Sequence, residues 1–313
     1  MKQIYLDNQA TTPLDPEVFS AMSPWFTEKF GNASSRNHTY GWEAEEAVDI
    51  AREQISKLIH ATPQEIIFTS GATEANCLAL NASCKMTAIV SSIEHPSVLS
   101  QRNDAILIPV NKSGVVSLEE LEKILYNSQS KKMFISVMSV NNETGVIQPI
   151  KEIINLCRKY NTIIHVDAVQ AIGRIPIKMN ESLEESKIDL LTISSHKIGG
   201  PKGVGCLIYN ENLEHLLMPF MKGGGQERGK RAGTEALELI AGFGAAAEYA
   251  NNFFINDTKK SRDLLEHLCI ESCSNASIIG YDSPRVSNTS SIAFEGLEAE
   301  SIVIALDLAG YEV

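Results

Sequence analysis

The chemically capable residues of this sequence concentrate where two short apolar runs end. Ile164-His165-Val166-Asp167 closes on an acid and continues into Ala168-Val169-Gln170. Leu191-Thr192-Ile193-Ser194-Ser195-His196-Lys197 closes on a lysine, beside a histidine and two serines. Each run reads as a buried strand. In an α/β fold, the carboxyl end of a parallel strand is where ligand-contacting groups are delivered. A lysine amine together with an acid that can hold a protonated ring nitrogen is the pair that pyridoxal phosphate chemistry requires.

Other stretches add candidates, each with a plainer alternative. Gly71-Ala72-Thr73 lies between a strand and a helix, where small residues let backbone amides approach an anion; it also reads as a tight turn. His95 follows a strand, where a flat imidazole can stack on a ring or serve a structural role. Asn142 reads as a turn residue or a polar contact. Gly223-Gly224-Gly225-Gln226-Glu227-Arg228-Gly229-Lys230-Arg231-Ala232-Gly233-Thr234 carries three basic residues. It is either a flexible loop or a phosphate-contacting one that reaches across a dimer interface.

The elements that must position these groups alternate. Residues 43–60 have helical spacing, with Ala44, Ala47, Ala51, Ile55 and Leu58 on one face. Ile66–Thr69, Ala88–Ser92, Met133–Met138 and Gly205–Tyr209 read as strands. Leu118–Tyr126, Ile150–Tyr160 and a long segment from Ala236 through Tyr249 read as helices. This order predicts an α/β fold with right-handed crossovers and a mostly parallel sheet. After about residue 258 the pattern becomes helix, strand, helix, ending on Ala299–Leu308, which predicts a second, α+β domain.

With 313 residues, the chain is long enough for one large domain and a smaller one. Its formal net charge of −12 argues against a nucleic-acid footprint and against anionic membranes. Neither an apolar leader nor a run of ~18 apolar residues is visible. The six cysteines, Cys77, Cys84, Cys157, Cys206, Cys269 and Cys273, lack CxxC spacing and read as reduced thiols of a cytoplasmic protein. Cys157 and Cys206 read as small core residues.

Taken in order, Tyr5-Leu6-Asp7-Asn8-Gln9-Ala10-Thr11-Thr12-Pro13, Gly31–Ser35, Phe68–Glu74, Glu94-His95, Asn141–Gly145, His165–Gln170, Ser194–Lys197 and Gly223–Thr234 resemble the cysteine desulfurases of the NifS/IscS type. These form part of the class V aminotransferase group of fold-type I pyridoxal phosphate enzymes. The resemblance covers essentially the whole chain. It implies a large domain at 14–250 with a seven-stranded type of sheet, and a smaller, incomplete domain built from 1–13 and 251–313. It implies that Lys197 carries the cofactor, that Asp167 pairs with the ring nitrogen, and that His95 stacks on the ring and moves protons. Gln170 and Asn142 would serve the phenolic oxygen. Ala72, Thr73, Ser194 and His196 would bind the phosphate, with Thr234 donated by the second subunit of a homodimer. The implied reaction converts L-cysteine to L-alanine. Sulfur passes through an enzyme persulfide to an acceptor or scaffold protein, for iron–sulfur clusters or thio-modification. Selenocysteine lyase, an aminotransferase, or a non-catalytic dimerising scaffold on the same fold are the alternatives.

Departures from the pattern are Cys77, short segments around 80–88 and 99–106, and Ser287 where proline is common. In the family, a loop with the nucleophilic cysteine and a later arginine for the substrate carboxylate follow the segment ending at Val313. A shortened chain, a split enzyme or a degenerate product would each explain this. The expectation is that this chain alone holds the cofactor poorly, does not desulfurate cysteine, and leaves Ile292, Phe294, Ile302 and Leu306 uncovered.

Overall fold

The computed structural model describes residues 3–180, 187–250 and 258–313. Met1, Lys2 and the expected domain boundary at 250/251 with the residues just after it lie partly or wholly outside these. Eleven strands are described: β1 (Ile4–Tyr5), β2 (Ile66–Thr69), β3 (Thr87–Ser91), β4 (Ile106–Ile108), β5 (Met133–Met138), β6 (Ile163–Asp167), β7 (Leu190–Ser194), β8 (Gly205–Tyr209), β9 (Ala276–Ile278), β10 (Ile292–Phe294) and β11 (Tyr311–Glu312).

Seven of them form one sheet in the order β2-β8-β7-β6-β5-β3-β4. The pairs β4/β3, β3/β5, β5/β6 and β6/β7 are parallel, and β8 runs antiparallel to both β7 and β2. The reversal has a simple cause. Residues 195–204 join β7 to β8 with no crossover helix, only a single 3-10 turn at Ser195–Lys197. So short a link can return only an antiparallel neighbour.

The strands are apolar because both faces are covered. Alternate residues face opposite ways: Ile135 and Val137 pack with Ala51, Ile55, Leu121 and Ile153 on one side. Phe134 and Leu207 pack with Leu78 and Val98 on the other. The Thr39–Ile59 helix starts four residues earlier than the sequence pattern suggests. His38 caps it, its Nδ1 accepting from the Gly41 N–H at 3.1 Å, and a histidine is not among the usual capping signals. This helix lies against the Leu237–Ala250 helix so closely that a Cβ on Gly244 would sit 2.6 Å from Ala51 Cα. Gly244 is therefore a packing requirement.

Away from the main sheet, β1 pairs with β11 in parallel and β9 with β10 antiparallel. The helices Thr258–Ser272 and Ala299–Leu308 accompany them. Here the expectation of bare side chains is corrected in detail. Ile292, Phe294, Ile302 and Leu306 are half-buried, because the two short sheets and helices cover them in part. Among the apolar residues left open are Leu264, Leu265, Leu268, Ile270, Val303, Ile304 and Leu308.

These packing differences predict contrasting mutants. Phe134→Ala, in a fully buried site, is expected to cost about 3–5 kcal/mol. Leu308→Ser, at 80% exposure, is expected to stay within about 0.5 kcal/mol of the parent. Urea denaturation followed by circular dichroism checks both; equal midpoints for the two variants would contradict the packing described.

Candidate active site

Because β2, β3, β5, β6 and β7 run in one direction, their carboxyl ends open onto one edge of the sheet. A cavity of about 1590 Å³ lies there, lined in part by Gly71, Thr73, His95, Asn142, Asp167 and Lys197. Ala72, Gln170, Ser194 and His196 also line it. Nine of the ten residues singled out from the sequence are thus brought together. The tenth, Thr234, is exposed and lies outside the lining.

Lys197 follows β7 in the 3-10 turn. Its Nζ donates to the Gln9 carbonyl and, at 2.8 Å, to the Ala10 carbonyl, so the N-terminal segment folds over the amine. Burial, reinforced by the nearby Arg174 charge, brings its pKa down to about 8. The fraction of neutral, nucleophilic amine near pH 7–8 is correspondingly far above that of an ordinary lysine.

Asp167 ends β6 and is buried. One carboxylate oxygen accepts from the Val169 N–H at 3.0 Å, the other from Asn76 Nδ2 at 2.9 Å. Burial pushes the carboxyl up, against those two hydrogen bonds and the charges of His95 and Lys197. A cationic partner in the cavity would therefore be held strongly. His95 caps the short Pro96–Leu99 helix through Nδ1, which accepts from the Ser97 N–H at 3.1 Å. Gln170 is buried, with Nε2 donating to the Gln9 carbonyl at 3.0 Å and Oε1 accepting from Arg174.

A second corner is formed for an anion. Gly71 has φ +151° with open space where a Cβ would be, and it leads into the Ala72–Ala82 helix. That φ is a backbone state for glycine, and the helix start offers free N–H groups. Ser194 Oγ is fully buried and has no partner among the described residues. Such a hydroxyl costs roughly 1–3 kcal/mol unless something meets it, and a phosphate oxygen does so. His196 is brought down to about 4 by burial and by the charges of Lys197 and Lys202, and its Nδ1 lies 3.1 Å from Thr11 Oγ1. It is therefore neutral at pH 7. An amine, a buried anion and an orphaned hydroxyl in one cavity fit a group that is aldehyde, protonated ring and phosphate at once.

The glycine-rich loop is anchored within its own chain. Glu227 is buried at φ +46° and bonds Arg52 and, at 2.8 Å, the Phe68 N–H. Arg228 donates to the Ile66 carbonyl, and Arg231 pairs with Glu74 at 2.9 Å. Lys230 donates to the Glu214 carbonyl at 3.1 Å. The three basic residues are tied to their own chain and do not line its cavity. Sequence reasoning also missed Asn76, Ser97, Arg174 and the Gln9 and Ala10 carbonyls. Asn76 had a findable signal: it lies one turn after Thr73, on the same side of a helix that starts at the cavity.

A cavity so built is that of a fold-type I pyridoxal phosphate enzyme. Comparison with known proteins is more specific: the chain belongs to the class V aminotransferase family, whose model matches residues 4–313. It is 43% identical over 325 aligned residues to the cysteine desulfurase IscS of Rickettsia akari (strain Hartford), across 98% of this chain and 77% of that protein. The protein of the same name from Rickettsia bellii (strain OSU 85-389) matches equally, at 43% identity with 98% and 77% coverage. Among solved structures, the NifS-like protein from Rickettsia africae ESF-5 superposes with TM-score 0.90 at 35% identity, covering 99% of this chain and 86% of that one. DndA from Streptomyces lividans superposes with TM-score 0.78 at 35% identity, covering 96% and 88%. The family's cofactor is pyridoxal phosphate.

The depressed Lys197 value gives a pH test. A lysine with a folded pKa of about 8 is protonated below that pH and free above it. Labelling of Lys197 by an amine-selective reagent is expected to reach half its plateau near pH 8, with exposed lysines following nearer ~10. Peptide mapping of the cofactor-free protein reads this out; a Lys197 midpoint shared with the exposed lysines would refute the described environment.

Proposed function

We propose that this cavity binds pyridoxal phosphate through Lys197 and acts on L-cysteine, so that the protein works as a cysteine desulfurase yielding L-alanine. The observation that carries this reading is the low-pKa Lys197 amine facing the same cavity as the buried Asp167, in a chain of this family. When bound, pyridoxal phosphate supplies an electron sink that labilises bonds at the substrate's α and β carbons.

The protein's own groups divide the work. Lys197 would hold the cofactor through its neutral amine. Asp167 keeps the ring nitrogen protonated by offering a counter-charge in a dry place. His95 would stack on the ring and hold or move a proton at the reacting carbon. Gln170 and Asn142 serve the phenolic oxygen. The Ala72 amide, Thr73, Ser194 and His196 take the phosphate.

Thr234 is exposed and away from its own chain's cavity, which favours its donation to the cavity of a second subunit in a homodimer. None of the six cysteines lines the cavity. Sulfur would pass to a cysteine thiolate brought to the cavity from outside this lining, forming a persulfide as the substrate's Cβ–S bond breaks, and from there to an acceptor protein for iron–sulfur assembly or thio-modification, in the cytoplasm. A large domain at 14–250 and a smaller one from 1–13 and 251–313 would frame the site.

The protein mixed with pyridoxal phosphate is expected to turn yellow. Borohydride reduction should then fix the cofactor on the peptide containing Lys197. Fixation elsewhere overturns the assignment. L-cysteine, and not L-serine, should change the visible absorption of the cofactor-loaded protein; an equal response to both amino acids overturns the substrate class.

Two variants separate the roles. His95→Ala is expected to retain cofactor while slowing the cysteine-dependent absorption change by about 10²–10⁴. Asp167→Ala is expected to lose both affinity and response, because the ring nitrogen loses its counter-charge. Equilibrium dialysis and stopped-flow absorbance measure the two. A normal rate in His95→Ala removes it from the reaction.

A further inference from the structure

We infer that the side-chain amide of Asn76 is a positioning element that orients Asp167 directly and, through Ser97, fixes His95 as the tautomer with its proton on Nε2. Asn76 is fully buried in the Ala72–Ala82 helix, and its Nδ2 lies 2.9 Å from Asp167 Oδ2 and 2.9 Å from Ser97 Oγ. An amide nitrogen has two hydrogens and accepts nothing. Both partners are therefore acceptors at these contacts, and both amide hydrogens are used.

The direction then propagates. Having accepted from Asn76, the Ser97 hydroxyl keeps one hydrogen to give, and His95 Nδ1 lies 2.8 Å from it. The Ser97 backbone N–H aims at the same Nδ1 from 3.1 Å. A backbone N–H only donates, so Nδ1 presents its lone pair and the proton of the neutral ring sits on Nε2. The amide cannot be turned round, because Oδ1 would then face the Asp167 carboxylate, acceptor against acceptor. Among the described residues, Oδ1 is the Asn76 atom without a partner. Asn76, Ser97 and Asp167 are all buried, so water does not compete for these bonds.

The functional meaning rests on the reading above, in which His95 moves a proton and Asp167 holds the ring nitrogen. One amide then sets both the proton-exchanging nitrogen of the first and the carboxylate orientation of the second. It also favours the ionised form of Asp167, since its hydrogen bond opposes the effect of burial there.

The test begins with nitrogen-15 NMR of histidine-labelled, cofactor-free protein, with His95 assigned by comparison with His95→Gln. The neutral ring is expected to show a protonated Nε2 and an unprotonated Nδ1; the reverse tautomer overturns the inference. Asn76→Ala is expected to weaken the tautomer preference about fivefold to tenfold, the share of one hydrogen bond. It should raise the dissociation constant for pyridoxal phosphate by a similar factor. Should Asn76→Ala fold poorly, Ser97→Ala replaces it: the hydroxyl donor is lost, the backbone donor stays, and the preference is expected to fall by the same factor. Ser97→Thr, which keeps the hydroxyl, is expected to restore it. An unchanged His95 spectrum in the alanine variant overturns the relay. The NMR result in the cofactor-free protein is independent of the functional reading. The expected tautomer without cofactor binding would leave this inference standing and remove the function instead.

Discussion

A sheet buried on both faces leaves a ligand room only at its ends, and this constraint organises the site. Every residue of β5, β7 and β8 is buried. Five of the strands, β2, β3, β5, β6 and β7, deliver their carboxyl ends and following loops to one cavity. The same dryness sets the electrostatics there: it pushes Asp167 up and brings Lys197 and His196 down. Each charge in that cavity is costly alone and valuable when paired. A ligand carrying complementary groups is therefore bound by the relief of those costs.

The edge of the sheet shows a related economy of polar groups. Strand β2 is the terminal strand, and a terminal strand presents backbone groups with no strand to pair with. Here Glu227 accepts from the Phe68 N–H, while Arg52 and Arg228 donate to the Ile66 carbonyl. The side chains that close this edge also anchor the glycine-rich loop, and the positive φ at Glu227 and Arg228 is a backbone cost the anchor must offset. Capping the edge and anchoring the glycine-rich loop are thus two consequences of one set of contacts.

Much of this was legible in the sequence because the strands are near-continuous apolar runs that stop abruptly at polar residues. Met133–Met138 and Ala299–Leu308 lie where periodicity put them, and Cys157 and Cys206 are core residues. The likeness of ordered motifs supplied the cavity-lining set. What stayed hidden depends on three dimensions. The direction of β8 follows from a short link whose neighbour the sequence does not specify. The basic residues at 228–231 look available until Glu74 and the carbonyls of Glu214 and Ile66 are brought beside them. Asn76 shows only its one-turn spacing from Thr73 until Asp167, ninety-one positions away, packs against it.

The region after residue 258 is held by a different principle from the main core. On the Thr258–Ser272 helix the buried residue is Glu266, while Leu264, Leu265 and Leu268 are open. Glu266 accepts from both Arg285 nitrogens, at 2.6 and 2.9 Å, and from Ser290 Oγ at 2.8 Å. Burial alone would raise this carboxyl, yet the Arg285 and Ser290 hydrogen bonds, with the charges of Arg285 and Arg262, hold it below the usual range. A bidentate, partly shielded pair of this kind fixes orientation better than it supplies net stability. Arg285 also carries the link back to the main body, since it bridges to Val146 while Pro284 accepts from the Ile147 N–H at 2.9 Å. The helix is therefore oriented on the sheet's carboxyl edge by polar geometry. Its Arg262 and Leu265 reach the cavity wall without the deep apolar burial that secures the strands, so this wall is the part of the site whose placement depends most on charge.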